Sequence, residues 1–333
     1  MLAAIAASAI VPITRGSALA AREQTAELSS RVGGIPLELL SARGSLWMLT
    51  CDRRCAGEGR GSAGRVVRVD PRTGRILKSG TVARPGTIAV AAGAVFVTDF
   101  WRHSIRRLDS VTLQQTASLK LVLPSQIASR SKYAAFLPND VAVGQGAVWV
   151  STEWCTVARA DERLKRAVAA VRLPCDAYQT MAFGAGSLWI SESLAGLYRI
   201  DPTLNRVSAR MQIGPRNARL VVTRMVFAHD RVLAIAARTR AGSLTGANAL
   251  VRIDATSSRL LTVTPLPPGH LLAALGAGSL WVARANGSTL ERIDPATGRT
   301  LARISAKIGI ALTIAGGHLW SANRNGTLAS LTQ

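Results

Sequence analysis

The feature that most constrains this chain of 333 residues is a short motif that keeps returning. A glycine, a small or polar residue, Leu or Val and then an aromatic appear as Gly44-Ser-Leu-Trp47, Gly93-Ala-Val-Phe96, Gly146-Ala-Val-Trp149, Gly186-Ser-Leu-Trp189, Gly278-Ser-Leu-Trp281 and Gly317-His-Leu-Trp320. Asp230-Arg-Val-Leu233 is a degenerate seventh copy. The aromatic positions lie about 40 to about 53 residues apart, the period of four-stranded propeller blades. A unit of that size cannot bury its apolar face alone, so successive units must pack on one another.

Each unit has the same internal grammar. It opens on an apolar alternating stretch such as Val141-Ala-Val143, Met181-Ala-Phe183, Met225-Val-Phe227 or Leu312-Thr-Ile314, which reads as the first, innermost strand. The glycine turn makes a hairpin into a second strand carrying the aromatic, because glycine tolerates the positive φ of tight turns. Asp230 is among the few other residues that visit that region, and it is expected to take that role in the odd copy. The third strand ends in Arg-x-Asp, as Arg68/Asp70, Arg107/Asp109, Arg159/Asp161, Arg199/Asp201, Arg252/Asp254 and Arg292/Asp294. In Asp70-Pro-Arg-Thr-Gly74 and Asp294-Pro-Ala-Thr-Gly298, proline presets φ, aspartate caps the turn and glycine takes the left-handed position. A motif that recurs in nearly every unit marks architecture, and the repeated aromatics are packing residues between units.

The two ends of the chain complete the fold reading. The last unit stops at Gln333, where its third-strand aspartate would fall, so it lacks a fourth strand. The segment Thr25-Ala-Glu-Leu-Ser-Ser-Arg-Val32 resembles Thr300-Leu-Ala-Arg-Ile-Ser-Ala-Lys307, a fourth strand followed by the next unit. The expected architecture is all-β: a seven-bladed β-propeller over residues 25–333, its last blade closed by the N-terminal strand so that no long edge is left unpaired.

The Gly-x-Leu-Trp and Arg-Ile-Asp-Pro-x-Thr-Gly repeats resemble those of the YncE/YVTN and virginiamycin B lyase-like propellers of bacteria. The resemblance covers nearly the whole chain and implies the architecture, but not one activity, because such propellers include enzymes, sensors and scaffolds. It also implies, for the lyases, histidines with a nearby glutamate and magnesium, within a Glu-x-His after the repeat aromatic. Glu192, three residues after Trp189, matches the repeat glutamate. The sixth unit carries Arg284 followed by Asn286 instead, and Glu-x-His occurs nowhere in the chain.

Residues 1–24 read as a signal peptide, or a truncated membrane anchor, with a short tail. Leu2 to Ile13 is apolar and shorter than the roughly 20 residues that span a bilayer, and Ala18-Leu19-Ala20 offers a small-x-small cleavage pattern. The expected location is secreted or extracytoplasmic. A formal charge of +22 raises polyanionic partners. Only five of the 41 basic residues are lysines, however, and the arginines are scattered instead of forming one run, which favours a solvated surface over a specific nucleic-acid site.

Irregularity gathers on one face, where second strands meet third strands and fourth strands meet the next first. There lie the insertions from Cys51 to Gly64 and Arg238 to Asn248, the connection from Leu123 to Asn139 and the stretch from Pro174 to Thr180. Loops on a rigid scaffold are where function concentrates. Counting outward from the aromatics brings Asp99, Glu153, Glu192, Arg238, Arg284 and Asn323 to that face, beside Trp101 and Trp154, the only tryptophans outside the repeated slot. Opposed charges beside apolar platforms suit a polar or zwitterionic ligand. The plainer alternative is a set of solvated loop residues bridging the mouth.

Cys51, Cys55, Cys155 and Cys175 all map to the same face. In an exported protein they favour disulfides, Cys51 with Cys55 and Cys155 with Cys175, over a metal site, for which only Cys51-x3-Cys55 approaches a usual spacing. His103, His229, His270 and His318 assemble no catalytic constellation, and no P-loop, dinucleotide fingerprint, zincin helix or nucleophile elbow is present. The expectation is therefore a non-enzymatic, monomeric binding or scaffold protein without a cofactor. Its partner would be a small polar ligand, a cell-wall component or a protein. Two competing readings are a divalent-metal enzyme holding calcium or magnesium on Asp99, Glu153 and Glu192, and the extracytoplasmic sensor half of a longer protein.

Overall fold

The computed structural model describes residues 26–52, 63–99, 102–121, 138–152, 156–173, 178–192, 196–214, 219–240, 243–269 and 271–331. They form seven four-stranded antiparallel sheets, with no α-helix among them. Six sheets are consecutive in sequence: blade 1 over 35–83, blade 2 over 85–120, blade 3 over 138–172, blade 4 over 178–212, blade 5 over 220–266 and blade 6 over 271–305. Blade 7 joins Ala311–Ala315, His318–Ala322 and Thr327–Leu331 to the N-terminal strand Ala26–Arg31, in the spatial order that puts the N-terminal strand outermost. The expected closure is thus present. Its register runs from Ala26 opposite Leu331 to Arg31 opposite Thr327, and the Val32 amide continues the pairing to the Gly326 carbonyl at 2.9 Å. The Ser30 hydroxyl reaches across to the Gly74 carbonyl in blade 1, tying the closing strand to the first blade.

The repeat motif sets the core. Trp47, Phe96, Trp149, Trp189 and Trp320 are buried to 1% or less, each packed among aliphatic side chains of its own or a neighbouring blade. Burial of such large rings between sheets accounts for much of the stability, and truncation of a buried Trp costs about 3–5 kcal/mol. The third-strand arginine stands directly opposite the aromatic in cross-strand register: Trp47 with Arg68, Trp149 with Arg159, Trp189 with Arg199, Trp281 with Arg292. In each of these four its guanidinium lies 5.3–5.8 Å from the ring centroid, a cation–π stack.

The motif's second residue completes the arrangement. Where it is serine, its hydroxyl accepts the arginine Nε: Arg68 on Ser45, Arg199 on Ser187 and Arg292 on Ser279, at 2.8–2.9 Å. Where it is alanine, as at Ala94 and Ala147, Nε of Arg107 and of Arg159 finds no acceptor among the described residues. The serine in Gly-Ser-Leu-Trp therefore serves the arginine on the next strand, not the turn.

The aspartates of Arg-x-Asp cap the third-to-fourth turns. Asp70 accepts the Arg72 amide, and the Gly74 amide returns to the Asp70 carbonyl with glycine at φ 72°. Backbone donors hold the exposed carboxyls of Asp70, Asp109, Asp201 and Asp254 below the usual carboxylate range. One expectation is corrected. In the degenerate seventh motif the left-handed residue is His229, at φ 50°, and not Asp230. The stretch from Arg238 to Asn248 lengthens a hairpin: the second strand of blade 5 runs Arg231–Arg240, its third Ser243–Asp254, and the pairing continues to Arg240 opposite Ser243 after a register shift between Ala237 and Thr239.

Candidate functional site

The seven innermost strands surround the axis, and a propeller leaves a passage there. One column of residues, nine before each repeat aromatic, lies at the same level on all seven strands: Glu38, Thr87, Asp140, Thr180, Arg224, Leu272 and Ala311. Five of these are polar, and in those five blades the first strand carries a β-bulge at this point. Blades 6 and 7, with Leu272 and Ala311, run in unbroken register. A bulge re-aims a side chain that regular pleating would press against the neighbouring sheet.

The three charged members come from alternate blades, and each is fastened to the first strand of the next. Glu38 Oε2 accepts the Ile88 amide at 2.9 Å, Asp140 Oδ2 accepts the Met181 amide at 2.9 Å, and Arg224 Nε donates to the Leu271 carbonyl at 3.2 Å. Blades 1, 3 and 5 are not neighbours in the ring, so the influence of Asp140 and Arg224 on Glu38 acts across the axis. Burial pushes the Glu38 carboxyl up to about 8, helped by the negative charge of Asp140 and opposed by the Ile88 amide and Arg224. Burial likewise pushes Asp140 up to about 6, against the pull of the Met181 and Val141 amides. Arg224 is lowered by the same desolvation, with Glu38 restoring part of it. Glu38 and Asp140 are half-buried and Arg224 is exposed, as side chains lining a wet axial passage would be.

The column sits within the first turns of the innermost strands. Pro36 pairs with Thr50 and Pro138 with Thr152, at or next to the ends of the second strands on the irregular face. The charged layer is therefore just inside the mouth on that face.

The residues expected from sequence divide into three groups. Asp99 is buried and forms an ion pair with Arg106 in its own blade, its other oxygen accepting the Arg102 amide at 3.1 Å. Glu192 is also buried: Oε1 accepts the Gly196 amide at 2.8 Å, while Oε2 meets no donor among the described residues. A Cβ on Gly196 would stand 2.4 Å from Oε1, so only glycine allows that approach. Burial and the nearby Glu192 charge raise the Tyr198 hydroxyl. Neither Asp99 nor Glu192 is thus a solvated loop residue. Arg238 and Arg284 are exposed, and Asn323 is half-buried at the start of a turn closed by the Gly326 amide on its carbonyl. Trp101, Glu153, Trp154, Cys55, Cys155 and Cys175 lie outside the described residues, as do residues 1–25. Cys51 is described and is disulfide-bonded.

Register also shows which positions are equivalent. Asp99, Glu192, Arg284 and Asn323 each stand three residues after their aromatic, but in blades 3 and 5 that place belongs to Thr152 and Ala236, not to Glu153 and Arg238. Glu38, Asp140 and Arg224 were not among the expected residues. Their signal was the column itself, visible once the units are aligned on the aromatics.

No protein-family model and no curated protein matches the chain. Solved structures do match its fold. Hydrazine synthase of Kuenenia stuttgartiensis aligns at TM-score 0.69 and 13% identity over 90% of this chain and 96% of that one. BamB from Moraxella catarrhalis aligns at 0.61 and 12%, over 93% and 100%, and the Pan2 WD40 domain of Neurospora crassa at 0.66 and 9%, over 94% and 96%. At these identities the likeness is one of architecture: the chain is a β-propeller.

Proposed function

We propose that this protein is an exported binding or scaffold propeller, related to the YncE/YVTN and virginiamycin B lyase-like group, which presents its irregular face to a small polar ligand, a cell-wall component or a protein partner. The observation that carries the reading is the layer of Glu38, Asp140 and Arg224 just inside the mouth of the axial passage. Bringing charge into a confined space costs several kcal/mol per ion, and perturbed carboxyls in a cleft are a recurrent mark of a site. Two carboxyls across from a guanidinium suit a ligand with an amino group and an anionic group at its two ends. The apolar Leu2–Ile13 run, Ala18-Leu19-Ala20 and the disulfide at Cys51 support export. On this reading Cys51 pairs with Cys55 and Cys155 with Cys175, and Trp101, Glu153 and Trp154 frame the approach to the mouth.

The test is a thermal-shift panel of free amino acids, diamino acids and cell-wall peptides, because a ligand that binds only the folded state raises its melting temperature. At least one zwitterion is expected to stabilise the wild type but neither Asp140→Asn, which removes the carboxyl that is ionised near neutral pH, nor Arg224→Gln. A panel without effect, or a shift that survives in both variants, contradicts the passage as the site.

A further inference from the structure

We infer that the cleft between blades 5 and 6 is a second binding site, separate from the axial passage, that takes a small organic monoanion with an apolar body. A cavity of about 420 Å³ lies there, walled by Pro267, Leu271 and Val282 on its apolar side and by Arg284, Glu291 and Arg303 on its polar side. That volume is in the range of small-molecule pockets.

Two departures from the repeat line the cavity. In cross-strand register the position of Glu291 corresponds to Arg106 in blade 2 and Tyr198 in blade 4. Both of those fill their inter-blade space: Arg106 binds Asp99 and extends to the Ala83 carbonyl of the preceding blade, and Tyr198 is buried to 1%. In blade 6 the Asp99 position is Arg284 and the Arg106 position is Glu291, so the charges are exchanged. Glu291 does not turn to Arg284. It pairs along the sheet with Arg303, Nε to Oε1 at 3.0 Å, and the space that Arg106 occupies in blade 2 stays open.

Charge and rigidity then define the ligand. Arg303 offsets Glu291, which leaves Arg284 as the surplus cation. Arg284 is exposed, makes no ion pair among the described residues, and lies along Gly269, where a Cβ would come within 3.0 Å of its Nε. The connector opposite is held in place before any ligand arrives, since Asn248 Nδ2 donates to the Pro267 and Gly269 carbonyls at 2.8 Å each. A carboxylate on Arg284 would take a planar, charge-assisted pair of hydrogen bonds, with Ser288 and Thr289 at the rim. Its apolar remainder would face Leu271, Val282 and Pro267.

The probes are isovalerate and phenylacetate, each against its amide, titrated by calorimetry into the full chain. The acids are expected to bind and the amides not. Arg284→Gln should weaken the acids by about tenfold or more, the weight of one charge-assisted contact. The double variant Arg284→Asp with Glu291→Arg, which installs the blade 2 pair, should abolish binding while melting as a folded protein. Glu38→Gln, in the axial passage, should leave the binding of both acids unchanged, so failure here and failure of the passage reading are separable. Absence of binding by both acids, equal binding of acid and amide, or unchanged binding in either blade 6 variant would overturn the inference.

Discussion

Blade 2 and blade 6 hold opposite charges at the same two positions and reach opposite outcomes. In blade 2 the short carboxylate of Asp99 is on the second strand and the long Arg106 on the third, where it spans the gap to blade 1 and closes it. In blade 6 the long residue, Arg284, is on the second strand and reaches outward, while Glu291 is drawn to Arg303. Composition is nearly the same; only the order differs. Which strand carries the longer side chain decides whether an inter-blade space is structure or cavity. The axial passage lies between these cases, with its charges fastened to backbone on one side and open to water on the other.

Four perturbations would break or sharpen this contrast. The largest removes the frame that makes blades comparable. Deleting the chain through Val32 takes away the outer strand of blade 7 and its contact with blade 1, and cooperative unfolding by circular dichroism should be lost or fall far below wild type. Next, Asp99→Ala leaves Arg106 buried without its partner and should cost about 3–5 kcal/mol in chemical denaturation.

Glu38→Gln comes third and is pH-dependent. The folded-state value of Glu38 is raised from 4.5 to about 8, so its proton is retained in the folded chain at pH values where the unfolded chain has released it. The stability it contributes is complete below about pH 4.5 and is lost as pH rises toward 8. Asp140 acts in the same direction between 3.8 and about 6. Glutamine stands in for the protonated carboxyl, so the variant should match wild type near pH 4.5 and exceed it at pH 8 by about 4 kcal/mol at most. The smallest effect belongs to Arg303→Gln. The Arg303 side chain is 69% exposed, and its pair with Glu291 should contribute less than about 1 kcal/mol.

The fold was legible because the repeat writes the same physical demands again and again, each in six of the seven units: a turn glycine, a buried ring, an arginine on the next strand and an aspartate cap. The closing strand was legible because Thr25–Val32 resembles a fourth strand and blade 7 lacks one. The site was less so. Asp99 and Glu192 are charged residues near loops, and sequence gives no sign that cross-strand neighbours bury them. Glu38, Asp140 and Arg224 fall inside apolar alternating stretches, where each looks like an interruption. Their meaning depends on blades 1, 3 and 5 converging across the axis, and local periodicity carries no information about that convergence.

The most direct test of the account is the titration of the two passage carboxyls, followed by the side-chain carboxyl carbon shifts of Glu38 and Asp140 from pH 3 to pH 9. Desolvation of both carboxyls, and the repulsion of Glu38 by Asp140, predict midpoints near 8 for Glu38 and near 6 for Asp140, with the Glu38 midpoint falling when Asp140 is replaced by asparagine. Two independent titrations near the ordinary 4.5 and 3.8, each unmoved by the other's removal, would contradict it: the charges would then be solvated apart and would form no common site.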